Sequence, residues 1–140
     1  MEKYLITGGA GFIGSAFIRF TLSRLDRAQI INLDKLTYAG NLENLKEVEK
    51  NPRYQFIRGD IADRSFVEEI FKKGVDLVIN FAAETHVDRS IANPEDFIRT
   101  DIYGSYVLLE VARNYRIKRF VQISTDEVYG SCDVGSFRED

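Results

Sequence analysis

The stretch "LITGGAGFIGSAF" limits what this chain can fold into more than any other. An apolar, strand-like segment, Lys3 to Thr7, enters a run of glycines and leaves it as a helical repeat of apolar residues from Phe12 to Leu25. Gly9-x-Gly11-x-x-Gly14 fits the dinucleotide-binding fingerprint, and the overlapping Gly8-x-x-Gly11-x-x-Gly14 fits a known variant of it. Glycine has a physical reason at each place. One allows a tight turn out of the strand, one lets a pyrophosphate approach the backbone, and one lets the helix pack closely on the sheet. The helix N-terminus then faces the anion. A nucleotide-hydrolase phosphate loop is excluded, because Gly9-x4-Gly14 is followed by Ser15 and Ala16, with no lysine to reach the phosphates.

Asp34 ends the next apolar segment, twenty residues after Gly14, where a carboxylate accepts the adenosine ribose hydroxyls. The same carboxylate repels the 2′-phosphate of NADP, so NAD is favoured. Lys35 keeps the other cofactor open, since a nearby cation can accommodate that phosphate or can equally point to solvent.

Beyond this loop, short apolar runs alternate with helix-period segments. Strands are expected at Lys3 to Thr7, Gln29 to Leu33, Tyr54 to Arg58, Asp76 to Phe81 and Arg119 to Ser124. Helices are expected at Phe12 to Leu25, Leu42 to Glu49 behind Asn41 as N-cap, Asp63 to Lys73, and Pro94 to Tyr115 with Pro94 in the first turn. Such alternation predicts an α/β fold: a doubly wound parallel sheet of five strands with helices on both faces. Its length suits one domain over 1–140 with one core.

Composition removes other classes. With 44% hydrophobic and 29% charged residues and a formal charge of −3, the chain has no basic footprint for nucleic acid. No apolar run approaches a membrane span, and "MEKYLIT" lacks the apolar stretch of a signal peptide, so a cytoplasmic location is expected. One cysteine, Cys132, and one histidine, His86, give neither a disulfide framework nor a zinc cluster, and no metal site is expected.

Ligands of open α/β sheets sit beyond the carboxyl ends of the strands. The fourth strand ends in "NFAAETHVDRS", which puts Phe81, Ala82 and Ala83 beside a cofactor and leads Glu84, Thr85 and His86 into the crevice; His86 reads equally as a loop residue with a satisfied hydrogen bond. The fifth ends in "ISTDEVYG". Ser124-x-x-Glu127 matches a capping box, but no apolar helical run follows before Gly130, so the segment reads as loop. Asp126 and Glu127 are then a carboxylate pair beside the expected nicotinamide, where burial makes a carboxyl usable as an acid or base near neutrality.

Taken together, "TGGAGFIG", "DKLTYAGN", "GDI", "AAETHVDRS" and "STDEVYG" resemble the nucleotide-sugar branch of the extended short-chain dehydrogenase/reductases, within it the dTDP-glucose 4,6-dehydratase family. The resemblance implies a Rossmann-like NAD-binding domain. It implies NAD contacts at Gly8, Gly11, Phe12, Ile13, Gly14, Asp34, Lys35, Leu36, Thr37, Asp60, Ile61, Phe81, Ala82, Ala83, Glu84, Thr85 and Thr100. Thr85 and Thr125 would contact the sugar nucleotide, dTDP-glucose. Asp126 would donate a proton, Glu127 accept one, and Thr125 hydrogen-bond the C4 oxygen. A homodimer acting in deoxysugar biosynthesis is also implied.

Two departures from the family pattern stand out. Thr100-Asp101 replaces the usual Thr-Asn, and the Tyr-x-x-x-Lys pair of the family occurs nowhere in the 140 residues. The chain is therefore expected to be an N-terminal part, inactive by itself. It should leave Val121 and Ile123 uncovered on the sheet and Val107, Leu108 and Val111 short of a helical neighbour. A related sugar-nucleotide epimerase or decarboxylase, and a non-catalytic NAD-binding module, remain as alternatives.

Overall fold

The computed structural model describes residues 1–139. Its strands are β1 (Glu2–Thr7), β2 (Ala28–Asp34), β3 (Tyr54–Arg58), β4 (Leu77–Asn80) and β5 (Arg119–Gln122). All pair in parallel, in the order β3-β2-β1-β4-β5. The chain builds outward from β1 to β3, then returns to the other side of β1. That reversal opens a crevice between β1 and β4, whose last paired residues are Thr7 and Asn80.

Side chains alternate across a strand, so neighbouring residues serve opposite faces. Leu5, Ile31, Leu33 and Val78 face one cluster, shared with Val67, Ile70 and Phe71 of α2 (Arg64–Phe71) and with Val107, Leu108 and Val111 of α5 (Ser105–Asn114). Ile6 and Ile30 face the other, with Ile18 and Leu22 of α1 (Phe12–Arg24) and Leu45 of a 3-10 segment, Leu42–Val48. The single core expected from length is thus two clusters, divided by a sheet covered on both sides.

Helix starts follow local chemistry. The Asp63 carboxylate accepts from the Phe66 amide at 3.1 Å and opens α2; the Asn41 side chain accepts from the Glu43 amide at 3.0 Å and opens the 3-10 segment, tighter than the expected α-helix. The segment expected as one helix, Pro94 to Tyr115, is three: α4 (Pro94–Phe97), a π-helical stretch (Ile98–Gly104) and α5. Gly104 explains where the wide turn ends, for a Cβ there would lie 2.6 Å from Ile61 Cγ1. A short α3 (Val87–Ala92), unforeseen in the sequence, precedes α4. Val107, Leu108 and Val111 are fully buried, because α2 covers them, contrary to the exposure expected for them. Val121 and Ile123 are 36% and 37% exposed, as expected. Among the described residues no helix is long and apolar enough to cross a membrane, and no group of His, Cys, Asp and Glu could hold a metal ion.

Candidate functional site

A cleft of about 370 Å³ lies over the carboxyl ends of the strands. The glycine loop forms its floor. Gly8 sits at φ 66°, in the left-handed region, and a Cβ on it would come 2.5 Å from the Ala82 backbone nitrogen, so the ends of β1 and β4 nearly touch. A Cβ on Gly14 would lie 2.5 Å from the Gly8 carbonyl oxygen, which keeps α1 close to the loop. Gly11 caps α1 without a side-chain hydrogen bond, and the first turn holds no acid. The opening amides of this 13-residue helix therefore stay available to an anion. Phe12 and Ile13 line the cleft while 89% and 62% exposed, apolar surface set at its mouth.

Asp34 is buried at the end of β2, and its carboxylate accepts from the Ala10 amide at 2.8 Å and from the Leu36 amide at 2.8 Å. Each oxygen keeps a further lone pair for a hydroxyl donor. The arrangement crosslinks the glycine loop to the turn after β2. Lys35 is engaged with Asp60 at 3.0 Å, and Arg99 reaches the same carboxylate oxygen at 3.3 Å. Burial works against charge on Asp60, but the Ala62 amide, Lys35 and Arg99 outweigh it and hold the carboxyl below its ordinary value.

Phe81, Ala82, Ala83, Glu84 and Thr85 line the cleft along the exit of β4, and Thr100 closes it from the π-helical stretch. The Asp101 carboxylate accepts from the Glu84 amide at 2.8 Å, a task that an asparagine oxygen also performs. Burial raises the Asp101 carboxyl above its usual range, and the Glu84 amide partly offsets this. Burial likewise raises Glu84, with Arg89 opposing and Asp96 and Asp101 adding to the rise.

Of the residues expected at the cofactor, Gly8, Gly11, Phe12, Ile13, Gly14, Asp34, Lys35, Thr37, Asp60, Ile61, Phe81 to Thr85 and Thr100 all line this cleft. Leu36 does not. Its amide bonds Asp34, its φ is 58°, and its side chain packs into the α1-side cluster. From β5, Ile123, Ser124 and Thr125 reach the cleft. Asp126 and Glu127 do not line it; they open a 3-10 turn, Asp126–Tyr129, where a loop is expected, and both are exposed rather than buried. Thr125 is the N-cap of that turn but makes no side-chain cap bond. His86 is the N-cap of α3, exposed, with its carbonyl accepting from Arg89 and Ser90. Sequence reasoning missed Gly40 and Gly59 on the cleft wall. A Cβ on Gly59 would meet Phe66 Cε1 at 2.2 Å, and glycine directly after an apolar strand was the available signal.

Residues 5–140 match the family model described as GDP-mannose 4,6 dehydratase. The chain is 49% identical to the dTDP-glucose 4,6-dehydratase of Streptomyces niveus, over 99% of this chain and 42% of that protein. It is 51% identical to that of Escherichia coli, over 91% of this chain and 38% of that protein. The crystal structure of a dTDP-glucose 4,6-dehydratase from Streptomyces venezuelae with NAD bound superposes with a TM-score of 0.91 at 47% identity, covering 96% of this chain and 43% of that one. UDP-glucose 4-epimerase from Thermotoga maritima is similar at a TM-score of 0.82 and 34% identity, over 96% of this chain and 41% of that one. The chain thus spans well under half the length of these relatives.

Proposed function

Because the chain belongs to the GDP-mannose 4,6 dehydratase family, we propose that it forms the NAD-binding part of an enzyme that dehydrates dTDP-glucose to dTDP-4-keto-6-deoxyglucose. The observation that supports this most is the cleft itself. An uncapped helix N-terminus, a glycine floor closed to a Cβ at Gly8 and Gly14, and a buried carboxylate at the ribose end suit an NAD pyrophosphate and adenosine. The glycine loop holds the diphosphate, Asp34 accepts the ribose hydroxyls, and Ala82 and Ala83 leave room for a flat ring. Lys35 is held on Asp60 at 3.0 Å rather than left free beside the ribose end, which favours NAD over NADP.

When bound, NAD supplies the hydride acceptor for C4 of the hexose and the donor that later reduces C6. The chain's own residues move protons. Thr125 donates a hydrogen bond to the C4 oxygen as charge develops there. Oxidation at C4 would acidify the C5 hydrogen, and Glu127, just outside the cleft lining in this structure, would have to turn inward with Asp126 to remove it. Asp126 protonates the C6 hydroxyl as it departs, so that water leaves. Thr85 and Thr125 hold the sugar nucleotide. These two acids at the end of β5 favour the dehydratase over the epimerase reading, since a change of configuration at C4 has no hydroxyl to expel.

Incubation of a complete enzyme that contains these 140 residues with NAD and dTDP-glucose, followed by product mass, tests the proposal. Loss of one water supports it; an isomer of unchanged mass supports the epimerase; failure of NAD to bind in calorimetric titration removes both. The 140 residues by themselves contain no Tyr-x-x-x-Lys pair to deprotonate the C4 hydroxyl, so alone they are expected to be inactive even where folded. Turnover by this chain on the order of 10 s⁻¹, typical of an intact enzyme, would show that another group does that work.

A further inference from the structure

Two loops border the cleft, and each is anchored at its base. The loop after β2 is tied at one end by the Leu36 amide on Asp34 and at the other by the Asn41 amide, which donates to the Ala10 carbonyl at 3.0 Å. Between these ties the Gly40 amide donates to the Thr37 carbonyl at 3.1 Å, closing a tight turn with Tyr38 at its tip. The loop after β4 is tied by the Glu84 amide on Asp101 and continues into α3. The tips meet. The Arg89 guanidinium carbon lies 4.1 Å from the centre of the Tyr38 ring, and the His86 ring stands edge-on to that ring at 6.5 Å. Thr37 and Ala39, on either side of Tyr38, line the cleft from one side, and Glu84 and Thr85 line it from the other. Tyr38, His86 and Arg89 are themselves exposed and outside the lining, so their contact spans the rim.

We propose that Tyr38 and Arg89 form a clasp across the mouth of the cleft that retains the bound dinucleotide and positions Thr37 and Thr85 against it. The inference rests on the reading of the cleft as an NAD site. In a reaction that returns its hydride to the product, the cofactor need not leave between turnovers, and a clasp at the rim slows its escape without touching it. A guanidinium on an exposed aromatic face is a modest contact, which suits a closure that must still open for loading.

The dissociation rate of NAD from the purified protein, followed by displacement in stopped flow, tests the clasp in Tyr38→Ala, Arg89→Ala and the double variant. Each single variant is expected to release NAD about two- to fivefold faster, the range an exposed cation–π contact supplies. The double variant should be no faster than the faster single one, since either change opens the same contact. Thermal midpoints should be unchanged because all the altered side chains are exposed, and Arg89→Lys should restore part of the retention. Unchanged release in Arg89→Ala, or independent effects that multiply in the double variant, would overturn the clasp. If the unmutated protein bound no NAD at all, the reading of the cleft would fail instead.

Discussion

Asp34 does two jobs with one carboxylate, and the two can be separated by substitution. Its bonds to the Ala10 and Leu36 amides shape the loop, while on the proposed reading its charge disfavours a 2′-phosphate. Asp34→Ala should weaken NAD binding by roughly 1.5–3 kcal/mol, the worth of hydrogen bonds to a charged group, and narrow the preference over NADP. Calorimetric titration with both cofactors reads this directly, and tighter NADP binding by the unmutated protein would contradict the role given to Asp34. Asp101 offers a pH test. Burial raises its carboxyl in the folded protein, so folding favours the protonated form; that contribution is present at low pH and is lost as pH rises through the folded value. Asp101→Asn removes the titration yet keeps an oxygen for the Glu84 amide. The variant should therefore gain stability relative to the parent as pH rises above the ordinary carboxylate value of about 4, measured by urea unfolding at each pH. A gap that is flat or reversed with pH would mean that the carboxylate is better accommodated than its burial implies. In the assembled enzyme, Glu127→Gln should still allow oxidation at C4 while blocking elimination, so that reduced cofactor accumulates; release of keto sugar at the parent rate would remove Glu127 as the C5 base.

Among the elements, the helical run after β4 departs furthest from its sequence pattern. Apolar spacing from Pro94 to Tyr115 fits one helix, but Gly104 must seat on Ile61, Thr100 must reach the cleft and Asp101 must reach the Glu84 amide. A π-helical stretch satisfies these positions together, as such bulges often do near functional sites. Gly104→Ala would place a Cβ 2.6 Å from Ile61 Cγ1. It should cost about 1–3 kcal/mol, the usual range for overpacking, and weaken NAD binding as well, because Ile61 lines the cleft. Thermal unfolding and the NAD titration together separate these effects. At its other end α5 closes with Arg116 at φ 55°, the Arg116 amide on the Arg113 carbonyl and the Ile117 amide on the Ala112 carbonyl, both at 3.0 Å. This is the Schellman arrangement, which favours glycine at the left-handed position. Arg116→Gly should stabilise the fold by up to about 1 kcal/mol.

Across the whole molecule, β5 is an edge strand whose Val121, with Ile123 just after it, is partly open, and Val128, Val134 and Phe137 beyond are exposed. An open edge with apolar neighbours invites strand pairing or hydrophobic association. The 140-residue chain made alone should self-associate, and Val121→Lys should shift it toward monomer in sedimentation velocity; a monomeric parent would mean that the edge is less adhesive than its exposure implies. The features legible from chain order are local. Strand-forming runs, the glycine fingerprint, the spacing to Asp34 and the cap at Asn41 depend on neighbours a few residues away, and local sterics and hydrogen bonding give them one outcome. The tertiary structure alone decided what depends on distant partners. Leu36 turns inward because its amide is claimed by Asp34 and the α1-side cluster takes its side chain. Lys35 turns to Asp60, beyond the end of β3, at 3.0 Å, a partner far from it in sequence. Val107, Leu108 and Val111 are buried by α2, which no spacing within α5 could reveal, and the meeting of Tyr38 with Arg89 joins loops from two strands. Periodicity reports which face of an element is apolar; only packing settles what comes to cover it.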